Sequence, residues 1–349
     1  MKKVVVTGSA KVPTTLMAIM GYDNMTVNGT SNIKWGTSRL RVALALDNTG
    51  SMLDDGKLGA LKTASKNLIA QLQAAASING DVYVSIIPFS KDVNVGDNNH
   101  GATWIDWTDW NNKNGSCSRD SRSQSYSTRS ACSAANGYWT VDTHSSWNGC
   151  VADRGGSTSP DTSDYDQNVT APGAASASKF AAEQYGYCTV DMMGLSYNWS
   201  AMNSHVDSMI AVGATNQPIG LVWGWQSLVG GGPLSAPALD SGYTYNQVII
   251  LLSDGLNTQD RWYGNGSLTS TAVDKRMYDT DGTGTCANIK AAGITLYTIQ
   301  VNTGGDPTST LLQNCASSPD KFFILTSANQ IVTTFAQIGT NLSKLRIAR

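Results

Sequence analysis

Val42-Ala43-Leu44-Ala45-Leu46-Asp47-Asn48-Thr49-Gly50-Ser51 is an unbroken apolar run that ends in a polar turn containing one glycine. A continuous apolar run of this kind is how a parallel strand covered on both faces reads. Working outward, Lys57 to Ala76 places Leu58, Leu61, Leu68, Ile69 and Leu72 on one helical face. Val82 to Phe89 then reads as a second strand. Strand, helix and strand make a βαβ unit, which is expected to be right-handed.

The same alternation returns after about residue 200. Helices are expected at Ser200 to Val212 and Ile219 to Leu228, and Val248 to Leu252 forms another apolar strand. A helix at Cys286 to Ala292, a strand at Thr295 to Val301 and a helix at Thr308 to Ala316 follow. Strand Lys321 to Leu325 precedes a last amphipathic helix, Asn329 to Leu345. Strands alternating with helices predict an α/β fold with a doubly wound, mostly parallel sheet flanked by helices. Residues 1–38 are expected to form a small β appendage, with strands at Lys3 to Val12 and Met25 to Trp35 around a helix at Pro13 to Met20. Residues 39–349 form the α/β domain. It is interrupted at about 96–193 by a segment rich in Gly, Ser, Asn, Asp and Thr, which holds Trp104, Trp107, Trp110, Trp139 and Trp147 and four of the six cysteines. A structureless loop of that length is abnormal in a compact domain, so this is read as an insertion pinned by disulfides and aromatic packing.

The chain has 349 residues, of which 14% are charged, with a net charge of -2. That offers no basic stripe for a phosphate backbone and excludes nucleic acid as an expected partner. The longest apolar runs fall far short of the ~20 residues that span a bilayer. The start, Met1-Lys2-Lys3-Val4-Val5-Val6, turns polar too soon for a signal peptide. The even number of cysteines, with no C-x-x-C spacing, favours disulfides and an oxidising compartment. His100, His144 and His205 show no metal-ligand spacing.

In an open α/β sheet, ligands bind beyond the carboxyl ends of the strands. Three loops at that edge carry oxygen ligands. In the first, Asp47, Thr49 and Ser51 alternate and can aim three oxygens at one point, while Gly50 permits a tight turn. Carboxylate with hydroxyl suits a hard cation, Mg²⁺ most readily; an Asp/Ser helix cap is the plainer use of such residues. In the second, Gly213-Ala214-Thr215-Asn216, Thr215 offers a further hydroxyl, although alone this is an ordinary turn or cap. In the third, Ser253-Asp254-Gly255, Asp254 sits at the tip of its strand as Asp47 does on its own.

Taken together and in this order, the three loops resemble the von Willebrand factor A family. That family holds a divalent cation at a metal-ion-dependent adhesion site built from Asp-x-Ser-x-Ser, a Thr and an Asp on three loops. The resemblance implies that Asp47, Thr49, Ser51, Thr215 and Asp254 are the metal ligands, with Thr49 in place of the usual Ser. The stretch through Met52 to Lys57-Leu58 is also similar to the TadG-like proteins of tight-adherence (Flp-type) pilus systems. So are Trp147-Asn148-Gly149-Cys150-Val151, Thr215-Asn216 with Gly220 to Trp225, and Leu312-Gln313-Asn314-Cys315-Ala316. The resemblance implies a non-enzymatic adhesion module of the bacterial cell envelope that binds Mg²⁺ (or Ca²⁺ or Mn²⁺). Its partner would be a protein, a pilus or envelope component that donates an Asp or Glu to the metal. Order and resemblance pair Cys150 with Cys188, Cys286 with Cys315 and Cys117 with Cys132. Members of the group usually begin with a membrane anchor, which this chain is expected to lack.

Two other functions compete. The Asp47 to Ser51 loop also looks like the Asp-Lys-Thr-Gly-Thr loop of haloacid dehalogenase-class phosphotransferases, which would make Asp47 a nucleophile and Asp254 a Mg²⁺ ligand. Thr258 stands where the second acid of that class should be. Alternatively, Trp104, Trp107 and Trp110 form a carbohydrate-binding platform, against the plainer reading that they pack the insertion onto the sheet.

Overall fold

The structure is a computed structural model that describes residues 2–15, 17–35, 38–155, 171–277 and 284–347. Strands β1 (Lys2–Pro13) and β2 (Asn24–Trp35) pair with each other as an antiparallel ribbon. The helix expected at Pro13 to Met20 is not formed. Pro13 ends β1 opposite Asn24, and only Ala18–Met20 makes a short 3-10 turn, because the chain must reverse sharply to keep the two strands in register.

Strand β3 (Ser38–Asp47) leads through a 3-10 turn into α1 (Lys57–Ala75) and then β4 (Val82–Phe89). The insertion follows. β5 (Val93–Asn94) lies just before it, and it contains β6 (Ile105–Asp106), α2 (Thr108–Lys113), β7 (Gly115–Arg119), β8 (Arg122–Gln124) and α3 (Arg129–Ala134). After these come β9 (Tyr138–Val141), β10 (Cys150–Ala152), β11 (Phe180–Ala182) and β12 (Met193–Ser196). The chain then passes through α4 (Trp199–Ser208), α5 (Gln217–Val229), β13 (Thr244–Ser253) and α6 (Thr271–Asp274). It ends with α7 (Thr285–Ala291), β14 (Thr295–Val301), α8 (Thr310–Cys315), β15 (Phe322–Leu325) and α9 (Asn329–Ile347).

The central sheet runs β15-β14-β13-β3-β4, all parallel, as expected. It continues from β4 through β5, β10, β11 and β6, while β12 lies antiparallel beside β4. The insertion therefore partly extends the sheet, which its sequence does not announce: strands of two or three residues are too short to show alternation. The rest of it includes a separate three-stranded sheet, β8-β7-β9.

Alternation along β3 sorts its residues onto two helix layers. Leu40, Val42, Leu44 and Leu46 join the core formed with α1, α4 and α9. Ala43 and Ala45 join Trp223, Leu221 and Leu228 of α5 on the other side. Alanines there, with Gly220 and Gly224 on the helix, let α5 approach closely; a methyl group at Gly220 would collide with the Phe89 ring. The three disulfides are Cys117–Cys132, Cys150–Cys188 and Cys286–Cys315, the pairs expected, with no free cysteine. The last ties α7 to α8 across β14, and a loop of that length stabilises by about 3–4 kcal/mol. Among the described residues no helix is long and apolar enough to cross a membrane.

Candidate metal centre

From β3 the chain goes to β4 on one side, and from β13 it goes to β14 on the other. The crevice between the carboxyl ends of β3 and β13 is thus a topological switch point, where α/β sheets place their ligands. Leu46 pairs with Leu252, so Asp47 and Ser253 stand level at the two strand tips and Asp254 lies one residue beyond.

The side chains converge there. Asp47 is fully buried; its Oδ1 accepts from the Thr49 backbone N–H at 2.8 Å and its Oδ2 from the Ser253 hydroxyl at 2.6 Å. The Thr49 and Ser51 hydroxyl oxygens are 3.0 Å apart. Ser51 Oγ donates to Asp254 Oδ1 at 2.7 Å, and Lys57 Nζ donates to Asp254 Oδ2 at 2.6 Å. Four of the five expected ligands are therefore linked in one cluster. Thr215 is brought to the same edge and buried, but through its backbone: its N–H donates to Thr258 Oγ1 and its carbonyl accepts from the N–H of Thr258. Among the described residues no hydrogen bond joins the Thr215 hydroxyl to the other four.

Backbone hydrogen bonds hold the loops against one another. Asn48 N–H donates to the Phe89 carbonyl, Gly50 N–H to the Gly213 carbonyl at 3.0 Å, and Val212 N–H to the Asn48 carbonyl. This last bond explains why the helix expected to reach Val212 ends at Ser208: the following residues leave the helix to serve the first loop. Gly213 itself has φ 81°, and any side chain there would run into the Tyr185 ring. Gln217 ties the second loop to the third, donating from Nε2 to Ser253 Oγ and to the Gly255 carbonyl, while its N–H donates to Asn257 Oδ1.

Burial, and then the charge of Asp254, push the Asp47 carboxyl up to about 7 against the hydrogen bonds from Ser253 and Thr49. A cation between the two carboxylates would remove that penalty. The four linked residues fit a hard cation: two carboxylates and two neutral hydroxyls, all oxygen. Adjacent oxygens around Mg²⁺ lie about 2.9 Å apart, near the 3.0 and 2.7 Å spacings of the Thr49–Ser51 and Ser51–Asp254 pairs. Among the described residues no group of three or more His, Cys, Asp or Glu is placed to hold a metal, so any cation here would depend on hydroxyls.

The competing sites fare differently. Thr258, at the place of the second acid of the phosphotransferase class, accepts from the Thr215 N–H through its hydroxyl and supplies no carboxylate. Of the tryptophans weighed as an alternative carbohydrate platform, Trp104 and Trp110 are buried, and half-buried Trp107 stacks on His144 with centroids 3.8 Å apart, as the plainer packing reading expects. These rings pack the insertion rather than face a ligand.

No family model matches the sequence, and no curated protein matches it. Among solved structures, the chain is similar to the pilus adhesin SpaC from Lactobacillus rhamnosus GG, at 15% identity and a TM-score of 0.44. That likeness covers 88% of this chain and 31% of SpaC, so the chain spans about a third of that protein. The vWF domain of the type V pili tip protein Mfa5 from Porphyromonas gingivalis matches at 10% identity and a TM-score of 0.44, over 90% of this chain and 97% of that one. Proximal thread matrix protein 1 from the mussel byssus, with a zinc-occupied MIDAS motif, matches at 12% identity and a TM-score of 0.40, over 90% of this chain and 47% of that one. All three are likenesses in outline, and the site stands on its own geometry.

Sequence reasoning does not single out Lys57, Ser253, Gln217 or Asn257 as parts of this site. For Lys57 a signal is present. A lysine opening a helix faces the positive end of the helix dipole and, if buried, calls for a carboxylate. The others act through partners 36 to 206 residues away, a pairing only the fold creates.

Proposed function

We propose that this chain is a divalent-cation-dependent protein-binding module of the adhesion type, with Asp47, Thr49, Ser51, Thr215 and Asp254 as the metal ligands. The observation that carries this is the meeting of Asp47 and Asp254 at the switch point of the sheet, with the hydroxyls of Thr49 and Ser51 within hydrogen-bond distance. A bound Mg²⁺, Ca²⁺ or Mn²⁺ would present a coordination position to an Asp or Glu of a protein partner. Asp47 is oriented for this by Ser253 and Thr49. Ser51 positions Asp254, and the bonds from Gly50 N–H to the Gly213 carbonyl and from Val212 N–H to the Asn48 carbonyl keep the first and second loops in place. Such a contact would be charge-assisted and partly desolvated. The disulfides favour an oxidising compartment, and with the sequence resemblance to TadG-like proteins they make the bacterial envelope, and Flp-type pilus assembly, the setting we propose.

Metal analysis of purified chain beside Asp47→Ala tests the site: the native chain should retain stoichiometric divalent cation and the variant should not. Native protein that stays metal-free under all loading conditions would defeat the proposal. Partner capture that survives a chelator would defeat its cation dependence.

A further inference from the structure

Lys57 stands where a lysine is costly. It is the first residue of α1, a 19-residue helix whose N-terminus has no side-chain cap, and the helix dipole disfavours positive charge in that first turn. It is also buried, its side chain 7% exposed, and it pairs with Asp254 Oδ2 at 2.6 Å. Asp254 is itself buried, and its other oxygen accepts from Ser51. Both Asp254 oxygens are thus committed to donors of the protein. The turn just before Lys57 carries Asp54 and Asp55, both exposed, with Asp55 and Gly56 in left-handed conformations that bring the chain sharply into the helix.

We infer that Lys57 is a tethered internal cation that occupies Asp254 and competes with a divalent cation for it. The inference rests on the cation-site reading above. An ammonium and a divalent ion cannot share one buried carboxylate without strong like-charge repulsion. Cation entry therefore requires the Lys57–Asp254 pair to open, with the ammonium moving outward toward Asp54 and Asp55. The pair stabilises the metal-free centre and sets the threshold concentration at which the cation enters.

The test is calorimetric titration of the full chain with MnCl₂ and MgCl₂, beside Lys57→Met and Lys57→Gln, each first shown to be folded by circular dichroism. Gln keeps a neutral donor for Asp254 in case Met leaves it too poorly supported to fold. Removing a charge-assisted competitor should raise affinity at least about tenfold in both variants. In the native chain, amine acylation of Lys57 read by mass spectrometry should accelerate when Mn²⁺ saturates the site. Affinity equal to or below native in folded Lys57→Gln, or labelling indifferent to Mn²⁺, overturns the role of Lys57 and leaves the cation site standing. Failure of all three proteins to bind either ion overturns both.

Discussion

At Asp47 and Asp254, two buried carboxylates are bonded to hydroxyls, and one of them, Asp254, also pairs with Lys57. Close by, Lys91 pairs with buried Asp92 and with Glu183, buried Asp153 pairs with Arg276 and accepts from the Arg261 backbone N–H, and buried Asp260 accepts from the Trp262 and Tyr263 N–H groups. Asn216, the neighbour of Thr215, links the two regions by donating to Asp153 and to the Lys91 carbonyl. The two regions differ in what surrounds their carboxylates. Hydroxyls can accept a cation as well as donate a proton, whereas ammonium and guanidinium groups are donors only. With its hydroxyls the first region is the one open to a metal ion under the reading proposed above, whereas the second is closed by ammonium and guanidinium pairs and burial there favours a proton. Burial pushes the Asp92 carboxyl up to about 7, with Lys91 opposing and Glu183 and Asp153 adding to the shift.

The sharpest way to break this contrast is to remove a base from the closed region. Lys91 Nζ lies 2.5 Å from Glu183 and 3.3 Å from Asp92. Lys91→Met leaves buried charge uncompensated and should lower stability by about 3–5 kcal/mol, read by urea unfolding. A loss below about 1 kcal/mol would mean the region is not the closed network described.

The next effect separates the two regions by ligand. Asp47→Asn should cost about a hundredfold in Mg²⁺ affinity, since it removes one of two carboxylates, while leaving the metal-free fold intact or more stable because a like-charge contact is relieved. Asp92→Asn should leave Mg²⁺ affinity unchanged by calorimetry. Equal losses in both variants would erase the distinction.

Proton linkage gives a smaller effect, with a defined sign. An unfolded aspartate titrates at about 3.9, whereas Asp92 in the fold is held up to about 7. Between those values the fold keeps a proton that the unfolded chain has lost. The Asp92 contribution is therefore fully present below about pH 4 and is lost as pH rises through about 7, with a slope of at most about 1.4 kcal/mol per pH unit. Denaturation series at pH 4 to 8 in chelator should show this decline on top of those from Asp47 and Asp260, which burial also holds up, to about 7 and about 6, and Asp92→Asn should lessen the slope. An identical profile in the variant would place the titration elsewhere.

How far these regions are legible in the sequence depends on what holds each residue in place. Asp47 and Asp254 end apolar runs, so strand pattern and loop chemistry locate them without the fold. The five-strand parallel core is legible for the same reason. Lys91, Asp92 and Glu183 lie in ordinary polar stretches and matter only because β4 and β11 bring them together. The end of α4 departs from its helical pattern because the Asn48 carbonyl captures the Val212 N–H, a bond that no local pattern encodes.

Thr215 supports the finest prediction, because it is the expected ligand whose hydroxyl is not tied into the cluster. Its backbone N–H and carbonyl, bonded to Thr258, already anchor the second loop. Thr215→Val keeps the backbone, the branching and nearly the volume, and removes only the hydroxyl. If that hydroxyl completes the cation's shell, Mg²⁺ affinity should fall by roughly fivefold, the worth of about one neutral hydrogen bond, with urea stability unchanged. If Thr215 serves only as a loop anchor, Val should bind Mg²⁺ like the native chain while Thr258→Val, which deletes the acceptor for the Thr215 N–H, destabilises the loop. The pair of variants thus decides whether the second loop belongs to the open region by ligation or only by position.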